Sequence, residues 1–540
     1  MDLEIAIPRR SRTRTSAILF LAECISFAFT ITQGILLVPL YLRFVTIPLY
    51  GAWLATGQVL GWLTLADPGT DVVVRQRVAR ALGAGEVEGI AGWIRLGLFI
   101  GIAAGTAILL ISLALAAWVP GLFGLQAESA GELRTALYLG AVATALVTVS
   151  FSLAAPLQAL QRAIPYSVTM IAANVGGMSA SILLLFHGWG VRSIPMGWLV
   201  RSLLLVIGWG LALLHVWLRF GIGRARGPTD RLFEVLRLSA FTAVCKAGYA
   251  LQNSADALLA AVILGPAFAT KLVLSGRVIE TLRTFPERFG SAAQPSLSHL
   301  YGQSDHAGSN DLTIAFLRSG SLMAALLVAM GVAVNKQAVI AWVGPEPFAG
   351  YAVTWMLGIA AWLLTVTNLG NHVLLAHGEI ERPARAFLAY GIVKFTLAAL
   401  FARWIGIATF PLAAIAATVL TYSPQVLRLT TTLLGVKRQG YWLYVEHVRP
   451  FAVCLSIAVG FWWLQPSFGT RWVAVGLGSV TVLILMLGGV AMLARQQTQD
   501  LCIAVAQGMA HWGISRRRFA TSAKAFANFR TPKSVRRKVP

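Results

Sequence analysis

Charge is scarce in this chain. Only 12% of its 540 residues are Asp, Glu, Lys or Arg, against 57% that are hydrophobic. The mean hydropathy of +0.72 excludes an ordinary soluble enzyme, whose surface and core balance near zero on such scales. Cysteine is nearly missing as well. Cys24, Cys245, Cys454 and Cys502 lie far apart, with no CxxC and no histidine spacing that would complete a metal site. They read as small buried hydrophobes, with no disulfide framework. Acidic residues are the third shortage, 21 against 44 basic ones, for a net charge of +23. The basic residues are dispersed between apolar segments and gathered at the two ends, so the expected partner is an anionic membrane leaflet and not nucleic acid. No DxD, serine nucleophile elbow or pair of outer-loop carboxylates is present, and nothing in the pattern asks for a metal or a cofactor. The chain is read as a non-enzyme.

What is present is a succession of apolar runs long enough to cross the ~30 Å hydrocarbon layer, each needing about 20 residues. They are continuous, where barrel strands would alternate. The first, at 17–40, follows a basic opening stretch and has no small-residue cleavage pattern after it, so it reads as a retained span. Further runs lie at 47–66, 91–118, 133–156, 165–187 and 196–217, then at 239–264, 311–334, 350–376, 385–404, 410–433, 449–465 and 472–494.

One stretch does not fit. KLVLSGRVIETLRTFPERFGSAAQP, residues 271–295, carries Lys271, Arg277, Glu280, Arg283, Glu287 and Arg288. Short cytoplasmic loops hold the excess of Lys and Arg, and the basic clusters before it agree on a cytoplasmic amino terminus. The clusters after it return to the same side only if residues 267–292 cross the membrane as well. That makes fourteen spans with both termini cytoplasmic. On a helical projection Arg277, Glu280, Arg283, Thr284, Glu287, Arg288 and Ser291 occupy roughly 120° to 260°, opposite Leu274, Ile279, Leu282, Phe285 and Phe289. Charges at bilayer centre cost about 2.5–3.5 kcal/mol each on the lenient insertion scale, so the polar face is expected to meet protein or a water-filled cavity. An amphipathic helix lying on the membrane surface is the alternative.

The spans divide the chain into a basic cytoplasmic amino terminus (1–16), a first lobe of six spans (17–218), a basic inter-lobe loop (219–238), a second lobe (239–433), two added spans (449–494) and a basic cytoplasmic tail (495–540). The fold class is an all-α polytopic membrane protein. IPLYGAWLATGQV in the second span parallels GPAFATKLVLSGRV in the eighth, matching Pro48 with Pro266 and Tyr50 with Phe268, as in parallel internal repeats. Other intramembrane charges point to a cavity between the lobes: Lys246 and Asp256 on the seventh span, Lys394 on the eleventh, Glu23 on the first, with Arg201 and Arg428 near interfaces or packing against neighbours. Cations exceed acids in the second lobe, which implies an anionic cargo; guanidinium forks suit phosphate because they bind two oxygens at once.

Residues 38–86, VPLYLRFVTIPLYGAWLATGQVLGWLTLADPGTDVVVRQRVARALGAGE, carry Pro39, Leu40 and Tyr41, then Tyr50, Gly51 and Trp53, then Asp67, Gly69 and Arg77. This pattern resembles the start of bacterial O-antigen and exopolysaccharide flippases of the MOP superfamily. The resemblance implies two six-helix lobes plus two extra carboxy-terminal helices. It implies a bacterial inner-membrane protein that moves an undecaprenyl-pyrophosphate-linked oligosaccharide outward by alternating access. The charged eighth span is less apolar than that pattern has it.

On this reading Arg277, Arg283, Arg288, Lys246 and Lys394 are the substrate-binding candidates, and Glu23 and Asp256 the ion-coupling ones. Asp67 is a gating candidate and equally an ordinary helix cap. A lipid II flippase, a MATE-type cation or drug antiporter, and a membrane glycosyltransferase or polymerase acting on lipid-linked glycans are the competing readings. The antiporter would want an acidic lumen. The polybasic tail is expected to bind anionic lipid, with docking to a polysaccharide polymerase or synthesis enzyme as the weaker alternative.

Overall fold

The computed structural model describes residues 9–219 and 248–493, apart from 65–66, 68–69, 85–86, 249, 251, 253–254, 303–305, 380, 436–446 and 465–471. The amino-terminal eight residues, most of the inter-lobe loop and the basic tail therefore lie outside the described residues, as do Lys246, Cys245 and Cys502. All regular structure among the described residues is helical. The helices are α1 (Arg9–Phe44), α2 (Ile47–Leu63), α3 (Thr70–Ala84), α4 (Val87–Trp118), α5 (Ala127–Ala159), α6 (Ala163–Phe186), α7 (Ser193–Arg219), α8 (Asp256–Ile263), α9 (Pro266–Gly302), α10 (His306–Val343), α11 (Tyr351–Ala376), α12 (Glu381–Ile405), α13 (Thr409–Ala417), α14 (Ser423–Leu433), α15 (Arg449–Leu464) and α16 (Trp472–Leu493).

Eight helical stretches among the described residues are long and apolar enough to cross a membrane. The stretch from Glu381 to Leu433 counts once among them although it is 53 residues long; a 3-10 turn at Gly406–Ala408 and a π turn at Thr418–Tyr422 interrupt it. The helix bounds follow the apolar runs closely. α3 is the exception, a helix inside what reads as a basic loop. Val74 and Val78 are at most 1% exposed, whereas Arg75 reaches Gln158 Oε1 at 2.6 Å and Arg77 lies over the Trp93 ring.

A buried backbone group without a partner is costly in hydrocarbon, and α1 contains such a gap. Pro39 lies inside the helix and has no N–H to give the carbonyl of Ile35, one turn earlier. Trp342 Nε1 on α10 donates to that oxygen at 2.6 Å instead. Trp342→Phe should orphan the carbonyl and lower stability by about 1–3 kcal/mol, read as a downward shift in thermal unfolding of the purified protein.

The chain forms two compact units: Met1–Thr281 with Lys336–Ala360 and Glu381–Pro424, and Leu282–Asn335 with Ala361–Ile380 and Gln425–Pro540. The first unit holds two cores. One packs Val74, Val78, Ile94, Leu157 and Leu205 from α3, α4, α5 and α7. The other gathers the carboxyl end of α1, the start of α2, the start of α5, α8, the first turns of α9 and the end of α12, through Tyr41, Trp53, Leu133, Ala260, Leu274 and Ala398. These are the helix ends joined by the connections poorest in Lys and Arg. The second unit is centred on Leu297, Phe316, Leu369 and Val373, with Trp362 stacked on Phe451 at 4.2 Å and Cys454 a buried free thiol.

Candidate functional site

The charged stretch is one unbroken helix, α9, 37 residues long. At 1.5 Å per residue that exceeds the hydrocarbon thickness. From Ser275 onward its buried residues, among those described, are Ser275, Gly276, Ile279, Arg283, Pro286, Gly290 and Leu297, which fall within about 100° of one another and so on a single stripe; Thr270 and Leu274, nearer its start, are buried off that stripe. Small residues let neighbours come close along it. A methyl group on Gly290 would meet His372 of α11. Ser275 Oγ donates to Pro347 O at 3.1 Å and accepts from the Ala349 N–H at 2.7 Å.

Arg277, Glu280, Arg288 and Ser291 are exposed on α9, as are Phe268 and Phe285 at 40% and 50%. Arg283 is not with them. It is 8% exposed and donates to Glu287 Oε1, and that carboxylate oxygen also accepts from Asn368 Nδ2 at 2.9 Å. The apolar residues and the charged ones thus do not sort into an inner and an outer face.

Arg277 belongs to the first unit. Its guanidinium lies over α1 at Gly34, where an added methyl would come within 2.7 Å of Nη2. Among the described residues it has no side-chain hydrogen bond or ion pair. Lys394 is in the opposite situation. Buried to 4% exposure on α12, it pairs with Asp256 Oδ2 at 2.9 Å and donates to the Gln252 carbonyl at 2.6 Å. Asp256 opens α8, where a negative charge also suits the helix dipole, and α2 completes that helix start by accepting the Leu258 N–H on Gln58 Oε1 at 3.0 Å. Lys394 therefore braces the entry to α8 while neutralising its acid.

The remaining candidates are separate. Asp67 is buried in the turn after α2, its N–H donating to Thr64 O at 3.1 Å. Glu23 is on α1, with its side chain outside the described residues. Arg201 on α7 lines a polar cavity of about 430 Å³ in the first unit, together with Gln33, Asn174 and Trp198. Sequence reasoning left that cavity out, although Arg201, Asn174 and Gln33 each interrupt an apolar run and are the signal for it.

Compared with solved structures, the chain has the fold of MOP-superfamily transporters. It is similar to a multidrug resistance MATE family transporter in an inward-facing conformation, with a TM-score of 0.62 and 14% identity over 76% of this chain and 96% of that one. It is also similar to the lipid II flippase MurJ in an inward closed conformation, with a TM-score of 0.60 and 12% identity over 89% of this chain and 99% of that one. A eukaryotic MATE transporter aligns at a TM-score of 0.54 and 15% identity over 78% of this chain and 99% of that one. No protein-family profile matches the sequence. No curated protein matches it either.

Proposed function

We propose that this protein is a flippase of the bacterial inner membrane, carrying a polyprenyl-pyrophosphate-linked oligosaccharide outward by alternating access, with both its termini cytoplasmic. The observation that carries the reading is Arg277: an exposed guanidinium on a helix long enough to span a bilayer, with no acid paired to it among the described residues, in a fold whose solved neighbours include a lipid II flippase. An exposed unneutralised cation favours an anionic headgroup, and the bidentate fork fits phosphate oxygens. A drug or cation carrier would want an acid in that place.

Lys394 and Arg283 are each held by a carboxylate, so their part is to fix the helices that present Arg277. Arg288 and Lys246 are its candidate helpers. Asp256 stays available for ion coupling only if Lys394 releases it. An interior-negative potential favours outward movement of the anionic headgroup by about 2.3 kcal/mol per charge per 100 mV. No covalent chemistry is required.

The test is reconstitution into liposomes with a labelled polyprenyl-pyrophosphate glycan, following how fast the label becomes accessible to a membrane-impermeant glycosidase. Faster exposure than in protein-free liposomes is expected. A rate equal to that of empty liposomes would refute the proposal, and transfer of sugar between lipid carriers would move the protein to the enzymes.

A further inference from the structure

The polar cavity of the first unit is not used by this mechanism, and its chemistry is specific. Arg201 Nε donates to Asn174 Oδ1 at 2.7 Å, and Asn174 Nδ2 donates to Ser26 Oγ at 3.0 Å. The stem of Arg201 packs on Gly177. Both terminal amino groups of Arg201 have no acceptor among the described residues, and the side-chain amide of Gln33 has no partner there either. The hydroxyls around them are differently disposed. Thr30 donates to Ser26 O, Thr144 to Gly140 O and Ser202 to Trp198 O, so each has given up its proton and keeps lone pairs for an incoming donor. Trp198, 39% exposed, adds an aromatic ring to the wall.

The cavity thus offers one cationic fork, a free amide, several hydroxyl acceptors and an aromatic ring. A volume of about 430 Å³ is far more than a lone ion needs, since a water molecule's share of liquid volume is only about 30 Å³. A single guanidinium matches one carboxylate. Acceptor oxygens match the hydroxyls of a polyol, and an aromatic ring presents an apolar face to the C–H side of a sugar. We propose that this cavity binds one carboxylate-bearing sugar, a uronic acid unit, with Arg201 on the carboxylate. The choice of a sugar rests on the carrier reading above, and the proposal makes the transported glycan an acidic one.

Full-length protein in nanodiscs, probed by saturation-transfer NMR with glucuronate, glucose and acetate as observed ligands and chloride as a competitor, tests it. Glucuronate is expected to bind saturably, with acetate and glucose each weaker by at least about tenfold, the scale of a lost charged hydrogen bond. Arg201→Gln should weaken glucuronate by at least about tenfold, Arg201→Lys less, and Trp198→Leu should weaken it while leaving acetate unchanged. Each variant is accepted only if it elutes as the wild type does. Unchanged glucuronate binding in Arg201→Gln overturns the site, as does displacement by acetate or chloride as effective as by glucuronate itself. Glu23 lies one turn before Ser26 on α1, so Glu23→Gln is the control: no change is expected, and tenfold tighter binding would mean that Glu23 and Arg201 form an internal pair, ending the proposal. Flipping of a neutral lipid-linked glycan without glucuronate binding would remove this site and leave the carrier reading standing. Glucuronate binding without flipping of any lipid-linked glycan would do the reverse.

Discussion

Arg277→Gln is expected to reduce flipping by about ten- to a hundredfold while the protein still folds and inserts. A hydrogen bond to a charged group contributes about 1.5–3 kcal/mol, and each 1.4 kcal/mol is tenfold. Losing this guanidinium should cost the protein itself little. Its side chain is exposed and, among the described residues, holds no ion pair, so no buried acid is orphaned and stability should change by no more than about 0.5 kcal/mol. Arg277→Lys should fall between the two, because an ammonium keeps the charge and loses the fork. Gly34→Leu supplies an independent route to the same end. It leaves Arg277 in place but fills the space under the guanidinium and should also depress transport. Reconstituted flipping rates decide this: wild-type rates in both Arg277→Gln and Gly34→Leu would detach Arg277 from the cargo.

Removing Lys394 should have the largest effect on stability. Taking one partner from a buried ion pair costs about 3–5 kcal/mol, because the other charge is left behind. Asp256 keeps 31% exposure and recovers some hydration, which places Lys394→Ala near the lower end, about 3 kcal/mol. The Gln252 carbonyl loses its donor in the same step. The double variant Lys394→Met with Asp256→Leu should be less destabilised than Lys394→Ala alone, since no charge remains to be solvated. Thermal unfolding of the three proteins in one detergent measures the order. A double variant less stable than the single one would mean that the pair does not carry the brace. Asp256→Asn, in turn, should leave an unpaired Lys394 and be destabilised in its own right.

The helix bounds were legible because hydrocarbon demands long apolar runs, and α4 to α7 and α10 to α12 fall where those runs lie. α3 was not legible in the same way. Its buried residues, among those described, are Val73, Val74, Val78 and Ala81, set among arginines, too short a pattern to stand out from a basic loop. The face of α9 was misleading for a physical reason. Large hydrophobes mark the inside of a soluble helix, but against lipid they have no such preference, and helix contacts in membranes are made by small residues. Thus Gly276 and Gly290 are in the packed stripe with Arg283, while Phe285 is half exposed. The excess of cations was readable as a sum but not as a distribution. Lys394 and Asp256 are 138 positions apart, a pairing that no local periodicity announces, whereas Arg277 holds no ion pair among the described residues. The cavity at Arg201 was obscured because its polar residues are divided among α1, α5, α6 and α7, only a few in each.

The core joining α2, α8 and the first turns of α9 has an unusual texture. Ala52, Ala55, Ala257, Ala260, Ala261 and Ala269 are all at most 1% exposed, and a side chain on Gly51 would collide with the carbonyl of Pro266. Methyl groups have no rotamers to lock and no long knobs to withdraw. Where the seam is tiled with them, between the larger Tyr50, Trp53 and Leu274 of the same core, it can part and meet again with few side chains choosing a new shape. What resists parting is then a pair of polar clasps, Thr270 on the Ile47 carbonyl at 2.9 Å and Gln58 on the Leu258 amide at 3.0 Å. The rate at which that seam breathes should therefore answer to two hydrogen bonds more than to its alanines.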